Sequence, residues 1–142
     1  MKYSLIIFFM CILIDQATKV IAMRNSYIIN NGLALNIGQG LPTYYLIIII
    51  CCIITWISVV NFKFWKNNKN MPELVVIAGG VSNLIDRFIY TGVIDFLIID
   101  FKISNLKIST PIFNFADIII MIGILWIIYR DMANQSLSNL QH

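Results

Sequence analysis

Apolar residues along this chain gather into four stretches, at about residues 3–23, 43–62, 72–89 and 113–129, separated by connections at 24–42, 63–71 and 90–112. A helix rising about 1.5 Å per residue needs about 20 mainly apolar residues to cross a hydrocarbon core, and each stretch approaches that length. The second is apolar throughout. The others carry polar residues near one end, so their spanning rests on length, flanks and the alternation with loops. The first connection, RNSYIINNGLALNIGQGLP, is rich in Asn and Gly, and its Asn31-Gly32 pair is an ordinary turn signal. In the third, Asp100, Lys102 and Ser104 alternate with Phe101 and Ile103. This is the period-two pattern of short amphipathic strands, whose apolar face would lie on a membrane surface or cover a site. Pro111 marks the start of the fourth helix, where its missing N–H does no harm. The segment after Arg130, DMANQSLSNLQH, is polar and is expected to fray. The predicted fold class is an α-helical integral membrane protein of one domain, with four transmembrane helices and a small extracytoplasmic β element.

Composition agrees with a bilayer setting. The chain is 59% apolar and 12% charged, with a mean hydropathy of +0.83, whereas soluble domains run at roughly 45–50% and about 25%. A net charge of +3 on scattered Lys and Arg makes no nucleic-acid footprint. Cys11, Cys51 and Cys52 lie in apolar stretches and imply no disulfide framework. The only histidine is His142 and no CxxC or HxxxH spacing occurs, so any metal would have to take oxygen ligands. The N-terminal MKYSLIIFFMCIL has the outline of a lipoprotein signal, but Phe8, Phe9 and Met10 precede Cys11 where small residues are required. The first stretch is therefore expected to be a retained helix. Lys2, Lys63, Lys66, Lys69 and Arg130 fall on one side of the stretches, which places both termini in the cytoplasm by the positive-inside rule; Arg24, Lys102 and Lys107 on the other side make the bias modest.

The acids then stand out. Of seven, four lie inside or at the edges of apolar stretches: Asp15, Asp86, Asp95 and Asp117. A carboxylate at that depth costs several kcal/mol, which makes it a functional-site candidate by default. With the first and third helices running outward and the fourth inward, Asp15, the group Asn83, Asp86 and Arg87, and the pair Asn114 and Asp117 all reach the outer leaflet. Asp95, eight residues beyond Arg87, can fold back over the end of the third helix. The spacings i, i+3 and i+4 put Asn83, Asp86 and Arg87 on one face, and likewise Asn114 with Asp117, so each Asn is expected to orient the carboxylate on its own face. Considered singly, Asp15 with Lys19, and Asp86 with Arg87 or another acid, read as structural ion pairs, and Asp117 as a helix-dipole carboxylate. Together they predict one polar site near the outer interface. An ion or proton pathway is the alternative, but it requires polar residues through to the inner face, where the first and fourth helices offer apolar side chains.

The ordered set DQATK at Asp15–Lys19, NNGLALN at Asn30–Asn36, GGVSNLIDR at Gly79–Arg87, GVIDF at Gly92–Phe96 and FNFAD at Phe113–Asp117 resembles the lipoprotein signal peptidase (signal peptidase II) family. The resemblance runs from the first helix to the fourth. It implies a four-helix aspartyl protease of the bacterial inner membrane that cuts the signal peptide from prolipoproteins just before the cysteine carrying a diacylglyceryl group, with its active site near the outer face. Asp95 and Asp117 match the catalytic pair; Asp15, Asn30, Asn83, Asp86, Arg87 and Asn114 match residues that support the site or contact substrate. Ser82 departs from the glycine usual before the Asn, and Leu35 and Asn36 depart from a Phe and a small residue. These three are expected on the substrate-cradling side, where they bear on specificity.

The chemistry is consistent with that pair. Candidate Ser and Cys nucleophiles have no His partner, and two close carboxylates share a proton, one acting as general base on water and the other as general acid. The expected partners are diacylglyceryl prolipoproteins and membrane lipid, with no cofactor, and the chain is expected to be a monomer. A non-catalytic lipopeptide-binding relative is the remaining alternative, opposed by the presence of both Asp95 and Asp117.

Overall fold

The computed structural model describes residues 2–32, 41–60, 71–103 and 106–139. The elements run α1 (Lys2–Ala22), β1 (Ile28–Asn30), α2 (Thr43–Val60), α3 (Met71–Tyr90), β2 (Val93–Asp95), β3 (Asp100–Ile103), β4 (Leu106–Ser109) and α4 (Phe115–Asn139). Leu35, Asn36, Lys63, Lys66, Lys69 and Ser104 lie outside the described residues.

Helix α3 is the hub, packed against α1, α2 and α4. Its buried residues include Val75, Ile77 and Ala78 in the inner part and Ser82, Asn83, Asp86 and Arg87 toward its end. Close approach of α3 and α4 depends on two glycines. A Cβ at Gly79 would sit 2.8 Å from the Ala116 carbonyl oxygen and 2.6 Å from Ile120, and one at Gly123 would sit 3.0 Å from the Pro72 carbonyl and 2.6 Å from Val76. At the opposite end of this seam, Arg130 pairs with the buried Glu73 at 2.8 Å. The outward faces carry large exposed apolar side chains, among them Phe9, Leu13, Trp56, Leu125 and Tyr129. Among the described residues, Tyr3–Ala22 is long and apolar enough to cross a membrane, and Thr43–Val59 is apolar but shorter.

The β element has two parts. Strand β1 pairs antiparallel with β2, matching Ile28 with Asp95 and Asn30 with Val93. Strands β3 and β4 form a second antiparallel pair, with Asp100 opposite Ser109 and Phe101 opposite Ile108. The predicted alternation is realised there, but β1 had no alternating pattern to announce it: it is a strand because β2 is beside it. The bend from α3 into β2 passes through Thr91 at φ 60°, with the Thr43 hydroxyl donating to the Thr91 carbonyl at 2.7 Å.

Two expectations for the last helix are corrected. It begins at Phe115, not Phe113, because Phe113 exchanges backbone hydrogen bonds with Leu97 (2.8 and 2.9 Å) and Asn114 serves as the cap. It also runs past Arg130 to Asn139, through the segment expected to fray. That segment holds good helix formers in Met132, Ala133, Gln135 and Leu137 and neither Gly nor Pro to break it.

Substituting Gly79→Ala places a methyl group against the backbone of α4. It is expected to destabilise the protein by about 1–3 kcal/mol, read as a lowered thermal midpoint in detergent, whereas Gly80→Ala, whose Cβ would meet the Ile54 side chain at 3.5 Å, is expected to leave it near wild type.

Candidate active site

Lys19, 1% exposed, lies at the bottom of the polar cluster. Its ammonium contacts Asp15 at 2.6 Å and Asp86 at 2.7 Å, both 0% exposed, and donates to Asn83 Oδ1 at 2.8 Å. The i, i+4 pair read from the sequence is thus half of a three-charge bridge between α1 and α3. Asp86 takes Lys19 as its ionic partner. Arg87 instead donates to the carbonyls of Asn83 (3.2 Å) and Gly32 (2.7 Å), tethering the connection between α1 and α2 to α3.

Each of the two buried aspartates also grips a backbone amide. Asp15 Oδ1 accepts from Ala116 N at 2.7 Å, and Asp86 Oδ2 from Ile94 N at 3.2 Å. Those amides immediately precede Asp117 and Asp95.

Asp95 and Asp117 themselves line a cavity of about 450 Å³, with Asn30, Asn83 and Arg87 on its polar wall and Ile99, Phe113, Ile118 and Met121 among its apolar residues. Each of their four carboxylate oxygens accepts a neutral N–H. Asn114 Nδ2 donates to Asp95 Oδ1 (2.7 Å) and Asn30 Nδ2 to Oδ2 (2.8 Å). Asn83 Nδ2 donates to Asp117 Oδ1 (3.1 Å) and the Asn114 backbone N–H to Oδ2 (3.1 Å). Asn114 Oδ1 in turn accepts from Asp117 N at 3.1 Å, so the two residues cap α4 reciprocally. Burial pushes the Asp95 carboxyl up to about 6, against the opposing hydrogen bonds from Asn30 and Asn114 and with Asp117 adding to the rise. Amide donors hold these carboxylates in place without pinning them ionised as a directly paired cation would.

All eight residues singled out from the sequence therefore converge, in two tiers: Asn30, Asn83, Arg87, Asp95 and Asp117 on the cavity and Asp15 and Asp86 beneath it, with Asn114 joining them. Two readings change. Asn114 meets the acid on its own helix face through its backbone N–H, its side-chain amide turning to Asp95 and Asn83, and Asn83 turns to Asp117 across the α3–α4 seam, because Asp86 is already taken by Lys19. Ser82 is not on the cavity wall; it is 0% exposed and its hydroxyl donates to Asp15 Oδ2 at 2.7 Å. Lys19, Gln16 and Ser82 were missing from the predicted site. A lone Lys within an apolar stretch, obliged to find compensating charge, was the available signal.

The sequence profile of a family described as signal peptidase (SPase) II matches residues 7–133. A lipoprotein signal peptidase of Wigglesworthia glossinidia brevipalpis is 39% identical over 124 residues, covering 82% of this chain and 76% of that protein. One from Thermodesulfovibrio yellowstonii is 34% identical over 140 residues, covering 87% and 90%. Two solved structures described as bacterial membrane enzymes superpose on the fold. One has a TM-score of 0.78 at 27% identity, covering 96% of this chain and 91% of that one; the other has 0.68 at 28%, covering 92% of each.

Lys19→Met keeps most of the side-chain volume and leaves Asp15 and Asp86 without their shared cation. The expected cost is about 3–5 kcal/mol, seen as a large fall in thermal midpoint or failure to accumulate folded protein in membranes.

Proposed function

The chain belongs to the signal peptidase II family, and we propose that it is an aspartyl endopeptidase of the bacterial cytoplasmic membrane that removes the signal peptide from prolipoproteins immediately before the diacylglyceryl-modified cysteine. The observation that carries this reading is the pair of carboxylates lining one cavity, each oxygen oriented by a neutral amide. In this reading Asp95 and Asp117 are the catalytic residues, and Asp15, Asn30, Asn83, Asp86, Arg87 and Asn114 support the site or meet substrate.

Two carboxylates sharing a cavity retain one proton between them. The ionised member takes a proton from water as the water oxygen attacks the scissile carbonyl carbon, and the protonated member gives its proton to the carbonyl oxygen. The resulting gem-diol collapses as the C–N bond breaks: one carboxyl gives its proton to the leaving nitrogen while the other carboxylate takes a hydroxyl proton from the gem-diol, which restores the singly protonated pair. The products are a signal peptide with a new carboxyl terminus and a lipid-modified cysteine with a free α-amine. Asn30, Asn83 and Asn114 keep the oxygens aimed during both steps.

All four helices span the membrane in this reading, with both termini cytoplasmic and the site near the outer face. Exposed apolar side chains around the helices and a polar cluster confined to one end support it. The depth suits the substrate: at about 0.8 kcal/mol per buried CH₂, two acyl chains hold the modified cysteine in the bilayer, so its scissile bond stays near the interface.

Asp95→Asn and Asp117→Asn are each expected to lower cleavage of a diacylated prolipoprotein by purified protein at least about 100-fold. Wild-type rates from both would refute the assignment, and proton flux into liposomes without cleavage would favour a transporter. Because the dyad works with one shared proton and Asp95 is raised to about 6, kcat/KM is expected to fall as pH rises past about 6. The same shift has a stability consequence. Folding favours the neutral Asp95 carboxyl, so this contribution is complete below the unfolded value of about 3.9 and is lost as pH rises through about 6. Thermal midpoints measured from pH 4 to 7 should show that loss in wild type and not in Asp95→Asn.

A further inference from the structure

Neither Asp15 nor Asp86 lines the cavity, yet each holds the amide directly before a candidate catalytic aspartate, Asp15 at Ala116 and Asp86 at Ile94. Whatever fixes Asp15 relative to Asp86 therefore fixes the first turn of α4 relative to strand β2. Lys19 attracts both carboxylates, but its ammonium is a point charge with three rotatable donors and imposes little direction. The directional link is made by two neutral side chains. Gln16 Nε2 lies 2.9 Å from Asp86 Oδ1, 3.0 Å from Ser82 Oγ and 3.2 Å from the Ser82 carbonyl, all acceptors for its two hydrogens. Ser82 Oγ passes its own hydrogen to Asp15 Oδ2 at 2.7 Å.

We infer that Gln16 and Ser82 are positioning residues that set the separation and orientation of the Asp95 and Asp117 carboxyls, through an unbroken hydrogen-bonded path from Ala116 N by Asp15, Ser82, Gln16 and Asp86 to Ile94 N. The inference rests on the reading of Asp95 and Asp117 as the hydrolytic pair. Burial stiffens the path at three of its four side chains: Asp15, Ser82 and Asp86 are 0% exposed, so water does not stand in for the lost Ser82 hydroxyl, while Gln16 between them is half-buried. Without the Ser82 hydroxyl, Asp15 Oδ2 keeps Lys19 alone and the carboxylate is free to turn, carrying the Ala116 amide with it.

The test uses purified full-length Ser82→Ala and Gln16→Met, changes of small volume that leave the helices intact. Cleavage of a diacylated prolipoprotein is followed for kcat, KM and the pH profile of kcat, with the folded fraction measured on the same samples. The charged groups around the dyad are Asp15 and Lys19 on α1 and Asp86 and Arg87 on α3. Neither substitution removes or adds a charged group, and each takes one hydrogen bond from a charged neighbour, Ser82→Ala from Asp15 and Gln16→Met from Asp86. Per folded molecule, kcat is expected to fall roughly five- to fiftyfold, with KM within about twofold and a limb of the profile displaced by at least about half a pH unit. Wild-type kcat and an unmoved profile in both variants, alongside an inactive Asp95→Asn, would overturn this inference alone. A loss of activity matched by the folded fraction, with the profile unmoved, would also overturn it by showing support of the fold only. Activity surviving in Asp95→Asn would instead overturn the underlying reading.

Discussion

A lysine shut between two carboxylates is the interaction on which the rest of this structure depends. Lys19, Asp15 and Asp86 are together almost wholly removed from solvent, and each alone would carry a desolvation cost of several kcal/mol. They are tolerable only as a set and only with further donors: Ser82, Gln16, Ala116 N and Ile94 N complete the two carboxylates. The last two requirements tie the ion cluster to α4 and β2. A charge problem in α1 and α3 is thereby solved by holding the two segments that carry Asp117 and Asp95.

This arrangement separates two jobs that a single pair of acids could not combine. Asp15 and Asp86 have Lys19 directly on them, next to the tightly packed region where α3 and α4 meet at Gly79. Asp95 and Asp117, one tier above, meet amides instead of a cation. Asn83 stands at the boundary. Its oxygen accepts from Lys19 and from Asn114 (3.1 Å), and its nitrogen donates to Asp117. The ion cluster below and the two carboxyls above therefore share one amide, and its orientation is dictated from both sides.

Much of the site was legible one helix at a time. Four acids in apolar stretches, the Asp15–Lys19 spacing and the Asn114–Asp117 spacing are properties of short sequence windows, because the helical repeat decides which neighbours share a face. Family resemblance sorted the aspartates by expected role; in the structure Asp95 and Asp117 line the cavity while Asp15 and Asp86 contact Lys19 beneath it. What short windows could not show were partners on other elements: Asn83 with Asp117, Asp86 with Lys19, and the Gln16–Ser82 link. Ser82, read as a variation on the substrate side, is instead buried against Asp15, since its orientation depends on how α3 is rotated against α1.

By itself, the sequence determined that the chain would be mainly helical, that Asp15, Asp86, Asp95 and Asp117 would gather toward one end, and that these acids would demand compensation; these follow from side-chain chemistry and from the periods of helix and strand. Only the tertiary structure decided who compensates whom. Strand β1 exists because β2 lies beside it, and α4 starts at Phe115 because Phe113 is held by Leu97. The depth of α4 against α3 is set where Gly79 lets the Ala116 carbonyl approach. Those are contacts between residues far apart in sequence, fixed by close packing, and no local pattern encodes the rotation and register that packing selects.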